Sequence, residues 1–399
     1  MSDWNERTIG DVAAVFDGPH ATPKKTTDGP WFLSISSLDQ GRLRLTESAH
    51  LSEEDFTKWT RRVTPQEGDV LFSYETRLGD AALMPEGIRA CLGRRMGLLR
   101  PKRDHVDPSF LLYAYLAPQF QAVINSRQIR GATVDRIPLV DLPSWPIRLP
   151  SLGEQKAICS VLGAVDDKIA VNERIAAACE ALLQLRFAEL GMADEPDDSQ
   201  AVPLTDLITF NPKLKKPSAE EPVYVDMAAL QTSRAGIPSW SRRAPKSGPR
   251  FMNGDTLMAR ITPCLENGKT GYVDFMGDEE IGLGSTEFIV MRSRPGVPSE
   301  LSYFMARDAR FRAHAIRNMA GTSGRQRVSA ADASNYLVND PDPTALGDFG
   351  QQASSAFAHM KSLEGESRTL ATLRDTLLPQ LMSGRLRVKD AEKFVEDQV

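Results

Sequence analysis

The sequence predicts two copies of an α/β (α+β) globular domain, each closed by a long helix carrying a coiled-coil seam. Three observations carry this reading: four segments recur in the same order with a period of about 190 residues; an apolar stripe at heptad spacing closes each half; and an acidic, proline-containing break separates the copies. A period that long is far beyond a solenoid repeat and marks duplicated domains.

Each half opens on an apolar-alternating segment, residues 9–16 and then 204–210. A Gly-Asp pair leading into an apolar strand follows, at Gly68-Asp69 and at Gly254-Asp255. The third segment is a strand, a basic turn and an amphipathic helix: 98–102 with 109–116, and 289–294 with 300–305. Both helices run on to a glycine turn with arginines, around Gly131 in one half and around Gly321 and Gly324 in the other. Ser151 and Glu154 then form a capping box, and Ile158, Leu162, Val165, Ile169, Asn172, Ala176, Cys179 and Leu183 recur at alternating spacings of 4 and 3. In the second half Asp348 and Gln351 offer a helix start. Phe357, Met360, Leu363, Leu370, Leu373, Leu377 and Leu381 make the matching stripe, ending near Gly384. Residues 154–190 as one helix span about 55 Å, more than one small domain needs. The domain boundaries follow: 1–150, a long helix over 151–192, 193–345, and a second long helix with its tail over 346–399.

Composition narrows the function. The chain has 399 residues, 41% hydrophobic and 25% charged, enough for sizeable cores without metal or disulfide staples. No apolar run is long enough to span a membrane, and the polar start lacks the apolar core of a signal peptide, so a cytoplasmic protein is expected. Cys91, Cys159, Cys179 and Cys264 are scattered and read as reduced thiols; no histidine pair has metal-ligand spacing, so no metal site is expected. The net charge is −5. The first 195 residues carry 23 basic and 27 acidic side chains and the remainder 25 and 26, so neither half should grip a polyanion by overall charge. The charge is nevertheless clustered: residues 87–103, 227–254 and 309–331 hold five or six basic residues each and no acid. Arginine dominates these runs, which suits bidentate contacts to phosphate or guanine. For any single arginine a solvated face is the simpler reading.

Three catalytic motifs fail on inspection. Gly268-Lys269-Thr270 resembles the end of a P-loop, but Pro263 stands where its first glycine belongs and a strand follows. Phe210-Asn211-Pro212-Lys213 lacks the second proline and the aromatic of an amino-methyltransferase motif. Glu154-Gln155-Lys156 fits a nuclease E-x-K, yet helix capping already accounts for Glu154. The chain is therefore expected to have no catalytic residues.

The stretch Gly131-Ala132-Thr133-Val134-Asp135-Arg136-Ile137, then Leu142-Pro143 and Ile147-Arg148-Leu149-Pro150, leads into Ser151-Leu152-Gly153-Glu154-Gln155-Lys156, Asp166-Asp167-Lys168-Ile169 and Asn172. The chain closes with Leu373-Arg374-Asp375-Thr376-Leu377-Leu378-Pro379-Gln380-Leu381-Met382-Ser383-Gly384-Arg385-Leu386. On these stretches and their order in a duplicated chain, the sequence resembles the specificity (S) subunit of type I restriction-modification enzymes. The second junction departs from the pattern, with Asp348-Phe349-Gly350-Gln351-Gln352 in place of the Glu-Gln-Lys signature.

The resemblance implies two target-recognition domains, each reading half of a split site in double-stranded DNA. It implies antiparallel packing of the two long helices, which set the half-site gap. Partners would be two methyltransferase (M) subunits and the restriction (R) subunits, carrying S-adenosylmethionine, ATP and magnesium; this chain would hold no cofactor. Candidate DNA contacts are Arg130, Thr133 and Arg136 in the first half and Thr322, Ser323, Arg325 and Arg327 in the second. Arg77, Arg94, Arg95, Arg242, Arg243, Lys246 and Arg260 form a second tier. Ile158, Leu162, Val165, Ile169, Asn172, Leu363, Leu370, Leu373 and Leu377 would pair the helices and dock partners. Asn172 either fixes helix register or lies in solvent. The competing classes are a coiled-coil adaptor that binds only protein, favoured by the acidic balance, and an enzyme in its own right, disfavoured by the missing motifs.

Overall fold

The computed structural model describes residues 4–19, 22–131, 134–197, 201–244, 247–322 and 324–396. The chain divides into two compact units, one of residues 1–170 with 367–399 and the other of residues 171–366. The division crosses both long helices, so each unit takes in part of each.

In the first unit an antiparallel four-stranded sheet runs in the order Ala13–Asp17, Met96–Pro101, Val70–Ser73, Ala81–Leu83. In the second unit the order is Ile208–Phe210, Phe288–Ser293, Asp255–Ala259, Thr270–Tyr272, the same sheet rebuilt from the second copy. The P-loop-like triplet thus runs directly into an edge strand, as its apolar continuation implied. Each unit adds a smaller sheet containing a parallel pair: Thr26–Phe32 beside Ala90–Cys91, and Val223–Val225 beside Gly282–Gly284. A terminal pair closes each domain, Asn5–Thr8 with Pro146–Leu149 and Ala201–Pro203 with Leu337–Asn339.

The Gly-Asp motif owes its recurrence to one local device. Gly68 and Gly254 sit at φ +85° and +86°, a left-handed turn that disfavours a side chain. The aspartate that follows folds back on the turn: Asp69 accepts from the Gln66 amide and Asp255 from the Met252 amide, each at 2.8 Å. Each then takes an arginine from the adjoining strand in two hydrogen bonds, Arg100 at 3.0 and 2.7 Å and Arg292 at 2.6 and 2.7 Å. Such a fork-to-fork match is the strong form of this bond. Arg100, assigned by sequence to a basic patch, is thereby a structural bolt.

The helix after the basic turn differs from expectation. Phe110, Leu111, Leu112, Tyr113, Ala114 and Tyr115 are all buried, as are residues 301–306, so Pro108–Leu116 and Leu301–Arg307 are wrapped on every side rather than amphipathic. A second helix, Pro118–Arg127 or Ala309–Arg317, intervenes before each glycine turn. Periodicity misjudged the first helix because a segment buried all round carries no polar face to phase it.

The first long helix spans Leu152–Glu189. Ser151 Oγ accepts from the Glu154 amide at 3.3 Å, while the Glu154 carboxylate accepts the Trp4 indole N–H at 3.4 Å. Gln155 is buried and bonds to the Pro150 and His105 carbonyls and the Asp107 amide. The second long helix spans Pro343–Met382 and is capped by Asp342, whose Oδ1 accepts from the amides of Thr344 and Ala345. It therefore starts before Asp348: proline at the first helical position after an Asp cap is the stronger signal. Within the second unit the two helices are antiparallel, Asn172 bonding Glu366 at 2.6 Å while Phe187 packs on Phe349. Within the first unit Arg374 donates to Asp166 at 3.0 Å, and Ile158, Leu162 and Val165 share a core with Leu370, Leu377 and Leu381. Asn172 is 2% exposed and bonded to the partner helix, so it is a pairing residue and not a solvated one.

Candidate nucleic-acid interface

In each domain the glycine turn is a short hairpin seated on the strand that follows the Gly-Asp motif. Ile129 and Arg136 exchange both backbone hydrogen bonds, at 2.9 and 3.0 Å; Ala320 and Arg327 do the same, at 2.9 Å each. The hairpin docks by the Ile137 amide on the Tyr74 carbonyl and by the Val328 amide on the Arg260 carbonyl. A third segment closes the group, for the Tyr74 amide donates to Arg95 and the Arg260 amide to Glu287. This backbone pattern makes Arg136 the counterpart of Arg327, Arg95 of Glu287, Tyr74 of Arg260 and Thr76 of Thr262.

The glycines serve the turn itself. Gly321 and Gly324 have φ of +128° and +79°. A side chain at Gly131 would meet the Val134 carbonyl oxygen at 2.2 Å, so that glycine lets the turn close on its own backbone.

Of the leading candidates, Arg130, Arg136, Thr322, Arg325 and Arg327 are exposed or half-exposed on or beside the two hairpins. Arg130, Arg136 and Arg325 have no ion pair among the described residues. Arg94 is exposed and Arg95 half-buried at the adjoining turn, with Arg95 at φ +71° and the facing Thr76 at +70°. Non-glycine residues in this region are uncommon and concentrate where geometry is over-determined. Arg260 is half-buried, and its Nε has no hydrogen-bond partner among the described residues. Thr133, Lys246 and Ser323 lie outside the described residues.

The other candidates are engaged elsewhere. Arg77 pairs with Asp80 and donates to the Ile35 and Leu38 carbonyls at 3.4 and 3.2 Å, tying down a neighbouring segment. Arg242 ends the edge strand Ser241–Arg242 of the smaller sheet and pairs with Glu280 at 2.8 Å, and Arg243 just after it stacks on Tyr224 at 3.7 Å. Ile158, Leu162, Val165, Ile169, Leu370, Leu373 and Leu377 are buried or half-buried in the first unit's core, and Asn172 and Leu363 are buried in the second. They pair the helices. Ile169 and Leu373 keep part of their surface exposed, while the others are covered by the chain's own packing.

The acid-free runs of the sequence are not acid-free in space. Arg89 takes Glu53, Arg95 takes Glu75, Arg100 takes Asp69, Arg242 takes Glu280 and Arg327 takes Glu287. Two of these carboxylates, missed by the sequence reading, stand in the site itself. Glu75 meets Arg95 Nε at 2.8 Å. Glu287 receives Arg327 Nε and Nη2 at 2.8 and 2.7 Å, and that fork, with a lesser contribution from Arg260, holds its carboxyl below the ordinary range. The only legible signal was that each acid lies a few residues from a repeated motif.

No group of three or more metal-ligating side chains comes together among the described residues. The remaining motifs have local explanations: Asn211 sits at φ +48° and its Oδ1 accepts the Val290 amide at 2.9 Å. The four cysteines are free, and burial pushes the Cys91 thiol up to about 12. No helix among the described residues is long and apolar enough to cross a membrane.

Residues 1–181 match the family described as Type I restriction modification DNA specificity domain. The chain is 27% identical over 213 residues to the type I restriction enzyme EcoEI specificity subunit of Escherichia coli, covering 51% of this chain and 35% of that protein. It is 32% identical over 183 residues to a putative type I restriction enzyme MjaX specificity subunit of Methanocaldococcus jannaschii, covering 43% and 42%. These matches thus span well under two thirds of the relatives' own lengths. The fold is shared with a crystal structure of a type I restriction-modification S subunit from M. genitalium, over 95% of this chain and 96% of that one, at 16% identity and a TM-score of 0.53. The chain is thus similar in sequence, over its first domain and most of the central helix, to type I restriction modification DNA specificity domains, and it shares the fold of a solved S subunit along nearly its whole length.

Proposed function

We propose that the chain selects the DNA sequence for a type I restriction-modification complex and performs no chemistry itself. The observation that carries this is one site built twice: a hairpin, a strand extension and a turn, converging in each domain with arginines at Arg130 and Arg136 or Arg325 and Arg327. Each copy would read one half of a bipartite site in double-stranded DNA, arginine forks meeting phosphates and guanine edges. The two long helices would fix the gap between the half-sites. Methyltransferase and restriction subunits would bring S-adenosylmethionine, ATP and magnesium. They would dock on helix faces other than the buried seam, in the cytoplasm.

Because many arginines of the basic runs are already neutralised by carboxylates, the chain alone should bind DNA weakly, and the partner should supply much of the grip. The same pairing favours the second reading, an adaptor that binds only protein. Co-expression with a cognate methyltransferase and sequencing of the methylated adenines separates the two. A split motif with a fixed gap is expected; an assembled complex that methylates without sequence preference would sink the specificity reading. Arg325→Glu should alter one half of that motif, whereas the adaptor reading expects every interaction intact.

A further inference from the structure

A carboxylate is out of place on a surface that faces phosphates, since it repels them and spends an arginine on itself. Yet each domain keeps one paired to an arginine at the hairpin, apart from Asp135, which accepts the Gly131 amide at 3.3 Å, and the two pairs are not copies of each other. In the first domain the acid, Glu75, lies on the strand extension and its arginine, Arg95, on the adjoining turn. In the second the turn supplies the acid, Glu287, and the hairpin supplies the arginine, Arg327. The position that holds Arg95 in one copy holds Glu287 in the other. Individual residues have exchanged while the acid–arginine couple has been retained.

We propose that the Glu75–Arg95 and Glu287–Arg327 couples are specificity determinants, each reading one G·C base pair and each suppressing sequence-independent binding. This rests on the DNA-specificity reading above. In the major groove a G·C pair presents the guanine O6 and N7 acceptors beside the cytosine amino donor. An arginine fork next to a carboxylate is the complementary pattern: arginine donates to guanine and the carboxylate accepts from the cytosine amine. Away from its sequence the couple closes on itself. The arginine is then withheld from phosphates, and the acid repels any backbone that approaches out of register. The two couples are fastened differently: Arg95 Nε lies 2.8 Å from Glu75 as an ion pair without hydrogen-bond alignment. Glu287 takes Arg327 through two hydrogen bonds, and Arg95 Nη1 also reaches Thr76 Oγ1 at 3.4 Å.

The test uses the complex with methyltransferase, one labelled duplex carrying the motif found by methylation sequencing, and one lacking it. Glu287→Gln should bind the motif-free duplex roughly three- to tenfold more tightly at physiological salt. Its log-affinity against log-salt slope should steepen by about 0.9, the value for one further phosphate neutralised by the released arginine. Its methylation should lose roughly tenfold discrimination at one G·C position, in one half of the motif only. Glu75→Gln should do the same in the other half. If Glu287→Gln does not fold, Glu287→Asp, which withdraws the charge by one methylene, should still relax that position. Variants that keep the wild-type affinity, slope and motif would overturn the inference while the specificity reading stands. A wild-type complex with no sequence preference would overturn the reading itself.

Discussion

At Asp255 a carboxylate with no exposed surface is held by one backbone amide and both arms of Arg292, and Asp69 repeats the arrangement with Arg100. Removing one partner of a buried pair is costly because the other charge is stranded. Arg292 keeps some access to solvent, which softens the loss. Asp255→Ala should therefore destabilise the protein by roughly 3 kcal/mol in chemical denaturation. A change under about 0.5 kcal/mol would show the pair to be incidental. Glu287 behaves differently. Its folded pKa is lowered, chiefly by the Arg327 hydrogen bonds, so its contribution is fully present above the ordinary carboxylate pKa and is lost as pH falls through the lowered value. Any stability difference between wild type and Glu287→Gln should be present at pH 7, begin to shrink near the ordinary carboxylate pKa of about 4.3, and vanish once the pH is below the lowered folded value. Thermal melts across that range check it; a difference that grows with acidification contradicts the assignment.

The elements show why some of the fold was legible and some was not. The Gly-Asp strands could be read because Gly68 and Gly254 need the same left-handed turn and Asp69 and Asp255 the same amide, so both residue types recur. The seam of Ile158, Leu162, Val165, Asn172 and Leu183 could be read because a long helix pair repeats its spacing along the chain. The helices Pro108–Leu116 and Leu301–Arg307 were placed but their character was misjudged, since a helix buried all round has no phase. If the long helices set the gap between half-sites, removing one heptad from each should shorten the recognised gap. Seven residues rise about 10 Å, which is roughly three base pairs. Sequencing of methylated adenines in the shortened complex reads this directly, and an unchanged gap with full activity would exclude the helices as spacers.

Over the whole molecule, the sequence by itself determined the duplication, the two long helices, the order of the repeated segments and the resemblance to type I specificity domains over residues 1–181. Each of these rests on chain-local patterns: a period, a turn that needs glycine, a seam that needs apolar residues at fixed spacing. Only the tertiary structure decided what the charges do. Runs without an acid in sequence meet acids in space, because Glu53, Asp69, Glu75, Glu280 and Glu287 come from other strands and turns to meet Arg89, Arg100, Arg95, Arg242 and Arg327. Coulomb attraction acts across a few ångströms of space and takes no account of separation along the chain. For that reason the sequence pointed to the arginines of the site, and the fold alone revealed the two carboxylates that hold Arg95 and Arg327.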